Sequence, residues 1–420
     1  MKILWVKAGG LTPPDTGGKI RSYHILRELA KRHSVTFFSF YAEHPGDIHQ
    51  QLTQFFERVV CIPLRIPIPR SRGEAFHYVR HMFSPLPYSV AKHSQPKVVA
   101  ALRNLLEAES YDVIVCDFVV AGGVIPWASS CPKVLFTHNI EAQIWLRHFE
   151  RAPSPIWKGV TWSEYRKMLR YEHFCLQNAQ HVLAVSENDK DAFARSIDRN
   201  RITVIPTGVD TEYFRPVGGD GEQPHELVFT GAMDWLANVD AILYFARDIL
   251  PLIRRQIPQV NITVAGRLPS PRLLALAHAD QHIRVTGSVD DIRPYIAKAS
   301  VYVVPIRIGG GTRLKIFEAM AMGKATVSTT IGAEGLPVTD GKEILIADSP
   351  ESFAHAVVSL LRQPEQRRQL GLSARRLVEQ KYSWSIVSDL FDEVLRRVAH
   401  EHGNNASISP VVPVAQVGVS

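Results

Sequence analysis

Short apolar runs that alternate with amphipathic helical stretches constrain the fold of this chain more than any single motif does. In the first half the runs read ILWV, VTFFSF, VIVC, VLFT, VLAVS and ITVIP; in the second they read LVFTG, ITVAG, IRVTG, VYVVP and ATVST. Alternation of this kind predicts parallel sheets covered by helices, and two such sets predict two doubly wound, Rossmann-like α/β domains. A chain of 420 residues that is 45% hydrophobic can fill two cores of ordinary size. The expected domains are residues 1–213 and 227–384, joined by a linker over 214–226 that is rich in glycine, proline and charge. A helix over 385–400 and a non-periodic, disordered tail over 401–420 are expected to follow.

In open α/β sheets, ligands sit beyond the carboxyl ends of the strands, so the motifs at those ends are the candidates for function. The richest is PIRIGGGTRLKIFEAMAMG, Pro305 to Gly323, where an apolar strand leads through three glycines into an amphipathic helix carrying Glu318. Exposed backbone N–H groups at a helix start, backed by the helix dipole, form an anion cradle that glycine lets a ligand approach closely. Arg313 and Lys315 place two cations on the first turn, where the dipole disfavours them and an anionic partner, such as a diphosphate, would be welcome. Gly17 and Gly18 precede another amphipathic helix, and a helix-initiating turn explains that pair as well as a ligand does. His138 follows the strand VLFT, in place either to donate to a substrate hydroxyl or to satisfy a neighbour in a cap. Glu141 stands three residues on, as a polar contact or as an ordinary first-turn acid. The sole literal Asp-x-Asp, Asp189 to Asp191, reads as helix capping, and nothing in the sequence requires a metal or any other cofactor.

With VSTTIGAEGL (Val327 to Leu336), VIPTGVDTEYFRP (Val204 to Pro216) and FTGAMDWLANVDAILYFARDILP (Phe229 to Pro251), the glycine-rich motif resembles the retaining GT-B glycosyltransferases of family 4. The last of these segments is similar to a subgroup associated with bacterial exopolysaccharide synthesis. The resemblance implies two Rossmann-like domains facing a central cleft, with the C-terminal helix crossing back to the first. It also implies transfer of a sugar from a nucleotide-diphosphate sugar to a carbohydrate or polyprenyl-linked acceptor. In its terms Glu318 binds the donor ribose, Gly310 lies at the donor sugar, and Gly17, Gly18, Gly311, Thr312, Arg313 and Lys315 surround the diphosphate. His138 takes the catalytic position, and Glu141, Gly231, Arg267 and Gly287 are further candidates. The leaving nucleoside diphosphate is thought to help deprotonate the acceptor in such enzymes, so no protein nucleophile is needed.

Two departures from the family pattern stand out. Gly310 occupies the place of the first glutamate of the usual Glu-x7-Glu pair. The basic residues that usually clamp the diphosphate after Gly231 are replaced by Ala232, Met233 and Asp234, with Asn238 near the usual lysine. Arg313 and Lys315 are expected to supply that charge from the opposite wall of the pocket. A nucleotide-sugar 2-epimerase of the same fold and a catalytically silent nucleotide-sugar-binding module are the competing readings.

A formal net charge of +7 favours acidic partners, and the dispersed basic residues argue against nucleic acid. Four scattered cysteines fit a reducing compartment. With no signal-peptide core and no spanning run, a cytoplasmic location is expected, including the inner face of the plasma membrane. The segment Leu64 to Phe83 mixes arginines with aromatic and branched residues, as a contact with an anionic membrane would require, although a solvent-facing loop and ordinary helix explain it too.

Overall fold

The computed structural model describes residues 1–14, 16–41, 51–67, 71–150, 152, 154–216, 221–308 and 314–408, with side chains through His402. Contacts divide the chain into two compact units, Met1–Ile205 together with the chain from Ser388 on, and Pro206–Val387. Of the expected linker, residues 217–220 lie outside the described residues, as do 409–420 of the expected tail.

The first unit is built on β1 (Lys2–Ala8), β2 (Ser34–Tyr41), β3 (Arg58–Pro63), β4 (Val113–Asp117), β5 (Lys133–Phe136), β6 (His181–Ala184) and β7 (Ile202–Val204). The second is built on β8 (Glu226–Thr230), β9 (Asn261–Ala265), β10 (Ile283–Val285), β11 (Val301–Val304), β12 (Thr326–Ser328) and β13 (Leu345–Ile346). Their orders are β3-β2-β1-β4-β5-β6-β7 and β10-β9-β8-β11-β12-β13. Every pairing is parallel. Two strands escape the apolar-run reading, for different reasons. β3 is a partly exposed edge strand, and β13 is only two residues long.

In each sheet the chain winds outward in both directions from a central pair, β1 and β4 in the first and β8 and β11 in the second. Connections on the two sides leave toward opposite faces, so a crevice opens at the carboxyl ends of that pair. The sheets hold it rigidly. Leu4, Val6, Phe38, Ile114 and Leu135 are fully buried in the first unit, as are Val228, Val264, Val303 and Phe317 in the second.

The last helix, Trp384–Ile408, does not end near His400 but runs on through the start of the expected tail. From Ser388 it belongs to the first unit, where Phe391 stacks on Trp5 at 5.4 Å and Asp392 meets His33 Nε2 at 2.6 Å.

Candidate active site

In the first unit the β1–β4 register sets Lys7 beside Asp117 at the carboxyl edge of the sheet. Lys7 Nζ lies 2.9 Å from Asp117 Oδ2, which also accepts Trp5 Nε1–H at 2.8 Å. The other carboxylate oxygen, Oδ1, meets His138 Nε2 at 2.8 Å. Burial alone would raise the Asp117 carboxyl, but the Lys7 charge and the His138 hydrogen bond hold it well below the usual range. Burial also pushes the His138 imidazole down to about 4, against the pull of Asp117. The imidazole is therefore neutral at pH 7. Since a carboxylate only accepts, the ring proton belongs on Nε2, and Nδ1 keeps the lone pair.

That lone pair faces Arg21 Nη1 at 3.3 Å. Arg21 sits in the Gly17–Ala30 helix, is buried, and donates through Nη2 to the Ile205 carbonyl at 2.9 Å. Burial lowers it to about 10, so it stays charged. Its Nε has no partner among the described residues. Lys7, Arg21, Asp117 and neutral His138 thus cluster beneath the start of this helix, and Asp189 adds a second acid within electrostatic reach of Arg21. The helix start itself has no side-chain cap at Thr16 and no acid in its first turn. Gly18 lies against the imidazole, and a Cβ there would stand 3.4 Å from His138 Cδ2. The structure thus gathers Gly17, Gly18 and His138 at one edge and adds Lys7, Arg21 and Asp117, which the sequence reading passed over.

Glu141 opens the Glu141–Glu150 helix, and its backbone N–H donates to Glu172 Oε1 at 2.8 Å. Both carboxyls are pushed up to about 7 by burial. Among the described residues, Glu141 makes no hydrogen bond to His138 or Asp117.

In the second unit the crevice between β8 and β11 is lined by the turn after β8 and by the Leu314–Ala321 helix. That helix buries Ile316, Phe317, Ala319 and Met320, and so presents Lys315 and Glu318, one turn apart, on its remaining face. Lys315 Nζ lies 4.1 Å from the centre of the Phe229 ring and donates to Asn238 Oδ1 at 2.8 Å. Asn238 Nδ2 donates in turn to the Ala232 carbonyl at 2.7 Å. Gly231 is required beneath them. Its φ is +148°, and a Cβ would come within 2.6 Å of Lys315 Nζ. Gly266 packs still closer, since a Cβ there would stand 1.7 Å from the Gly231 carbonyl oxygen. Arg267 is exposed in the next loop, and its carbonyl accepts Met233 N–H at 2.8 Å, tying that loop to the Gly231 turn.

Glu318 keeps part of its surface accessible, yet burial of its carboxyl pushes it up to about 7 against the lowering charge of Lys315. Its carboxyl makes no hydrogen bond among the described residues. Gly310, Gly311, Thr312 and Arg313 lie outside the described residues. Gly287 follows β10 at the sheet's edge with φ +72° and open space where a side chain would stand.

Two doubly wound units, with glycine-lined, charged crevices at their switch points, are the architecture of a GT-B glycosyltransferase. Family models agree: Glycosyltransferase Family 4 matches residues 16–213, and Glycosyl transferases group 1 matches residues 224–363. The chain belongs to the GT-B glycosyltransferases. It is 21% identical over 93% of its length to an uncharacterised 44.6 kDa protein in the cps region of Klebsiella pneumoniae, covering 99% of that protein. It is 27% identical over 71% of its length to the phosphatidyl-myo-inositol mannosyltransferase of Mycobacterium tuberculosis, covering 89% of it. Among solved structures it is similar to sucrose-phosphate synthase from Thermosynechococcus elongatus, with a TM-score of 0.68 at 19% identity over 95% of this chain and 99% of that one. HepE from Anabaena in complex with UDP gives 0.65 at 16% identity over 94% and 100%.

Proposed function

We propose that this chain is a retaining glycosyltransferase that moves a sugar from a nucleoside-diphosphate sugar to a carbohydrate or lipid-linked acceptor in bacterial surface polysaccharide assembly. The observation that carries the reading is the pairing of Lys315 and Glu318 at the β8–β11 switch point. It puts a cation where a diphosphate needs one, and beside it a carboxylate without a hydrogen-bond partner among the described residues, suited to accept from two ribose hydroxyls. The Asn238 contact supports the view that Lys315 replaces the missing clamp, because its ammonium meets the residue that stands near the usual lysine. The cps-region relative and the lipid-linked substrate in the name of the mannosyltransferase support the acceptor class. HepE, solved with UDP-glucose, supports the donor class.

In this reading the second unit holds the donor and the first presents the acceptor. Departure of the nucleoside diphosphate builds negative charge, and Lys315 with the helix-start amides stabilises it. His138 is held by Asp117 through Nε2 and by Arg21 through Nδ1, so in this reading it acts at the acceptor by fixing the Arg21 guanidinium at the crevice. His138→Ala should therefore lower turnover far more than donor affinity. Equal losses in both would mark a purely structural role.

The reading is tested by a thermal-shift screen of nucleotide sugars, followed by NMR of the product formed from the stabilising donor. Retention of the donor's anomeric configuration is the expected result. Inversion would refute the mechanism, a new sugar isomer made without acceptor would indicate an epimerase, and binding without turnover would indicate a silent module.

A further inference from the structure

One helix, Leu236–Tyr244, holds the chain on both sides of the glycine-rich motif. At the exit, Asn238 accepts from Lys315. At the entry, Asp240 takes the Arg307 guanidinium in a fork, with Nη2 at 2.8 Å from Oδ1 and Nε at 3.2 Å from Oδ2. Tyr244, one turn on from Asp240, meets the same guanidinium, its ring centre 4.1 Å from Arg307 Cζ. The residue before Arg307 is fixed as well. The buried Thr329 hydroxyl donates to the Ile306 carbonyl and accepts Gly332 N–H at 2.9 Å. The fork itself is wet, with the Arg307 side chain 41% exposed and that of Asp240 28%, so it adds little to the stability of the fold. What it fixes is direction, because a planar fork on a carboxylate, stacked on a ring, restricts how the chain enters the motif.

We propose that Arg307 is a positioning residue for the donor, held by Asp240 and Tyr244 so that the chain enters the glycine-rich motif in the direction the diphosphate requires. This role rests on the donor reading above and deepens it. The turn after β8 carries Ala232, Met233 and Asp234, which offer a diphosphate no cation. The helix that follows the turn takes a different part: it holds cations from the other side of the crevice, Lys315 through Asn238 and Arg307 through Asp240. Asn238 and Asp240 are two residues apart, so the two ties run over different sides of the helix and brace the motif's flanks at separate points. With two of its nitrogens on Asp240, Arg307 serves geometry rather than phosphate charge. A binding segment whose flanks are already set loses less freedom on association, and so gains affinity without touching the ligand there.

The test is calorimetric titration of the full chain with UDP-glucose and, in parallel, GDP-mannose, compared on whichever the wild type binds. Arg307→Ala and Asp240→Asn should each weaken binding about five- to tenfold, and the double variant by no more than either alone, because both remove the same fork. Arg307→Lys keeps the charge without the fork and should lose nearly as much. The charge-swapped pair, Asp240→Arg with Arg307→Glu, should recover part of the affinity. Melting temperatures should stay at the wild-type value, as suits an exposed pair. Normal binding by Asp240→Asn beside weak binding by Arg307→Ala would mean that Arg307 touches the donor itself, and overturns the proposal. Normal binding by every variant overturns it too, as do losses that follow a falling melting temperature. A wild type that binds neither nucleotide sugar counts against the donor reading itself, before any variant is compared, and this role falls with it.

Discussion

Glu318 links the pH of the solution to donor binding, and the link can be worked out in sign and size. Its carboxyl is raised from 4.5 to about 7, chiefly by burial, so the folded protein holds that proton more tightly than the unfolded chain does. Stability contributed by the protonated form is complete below about 4.5, is lost as pH climbs toward about 7, and is gone above it. The full shift corresponds to at most about 3 kcal/mol, and the part of the side chain that remains accessible reduces it. If the carboxylate accepts from ribose hydroxyls, the donor binds the deprotonated form. At pH 6 only about a tenth of the molecules carry that form, so affinity should be about tenfold weaker than at pH 8. A nucleoside-diphosphate sugar such as UDP-glucose suits this measurement, because its diphosphate is a diester with no ionisation of its own in that range.

Calorimetric titration at pH 6, 7 and 8 checks the effect, with Glu318→Gln as the control. The variant should bind at least tenfold more weakly at pH 8, lose the pH dependence, and melt at a higher temperature there because no buried charge remains. A wild-type affinity that is flat with pH, or a glutamine variant that binds normally, would refute the ribose role.

Lys315→Ala should cost on the order of a hundredfold in turnover, and Asn238→Lys in that background should restore part of it, since the two side chains already meet in one pocket. Asp117→Asn leaves Lys7 buried without its charge partner and should lower unfolding free energy by about 3 to 5 kcal/mol, read by urea denaturation. The wild type's own Asp117 contribution, from a depressed carboxyl, is present above its unfolded value of 3.8 and is lost only as pH falls below that. Gly18→Ala should fold with nearly wild-type stability, because the new methyl finds ordinary contact distance to His138; a large loss of activity would then report a ligand that passes over this turn.

The two-sheet architecture was legible because fully buried parallel strands must be apolar almost throughout, and that leaves runs such as VTFFSF and VYVVP in plain view. The same property hid part of the first crevice. Reading ILWV and VIVC as strands stops just before Lys7 and Asp117, the charged residues that follow those runs at the carboxyl edge. A charge that closes an apolar run was the available signal. Its partner, though, could not be known without the strand order, because β1 and β4 are neighbours only through a crossover of more than a hundred residues.

A comparable limit applies to the diphosphate clamp. Asn238 and Lys315 are 77 residues apart, and no local pattern joins them. What brings them together is backbone geometry: Gly231, at φ +148°, lets the turn after β8 fold beneath the ammonium, and Gly266 lets the next loop close against the Gly231 carbonyl. Each glycine taken alone signals only a turn. A side chain at Gly266 would strike backbone, which has no alternative rotamer, whereas one at Gly231 would strike side chains of the site, the end of Lys315 and the Asn238 amide. The first position is therefore constrained by the fold and the second by the site. Gly266→Ala should fail as a protein, while Gly231→Ala should fold, within the strain of its φ, and lose donor affinity as Lys315 is pushed aside.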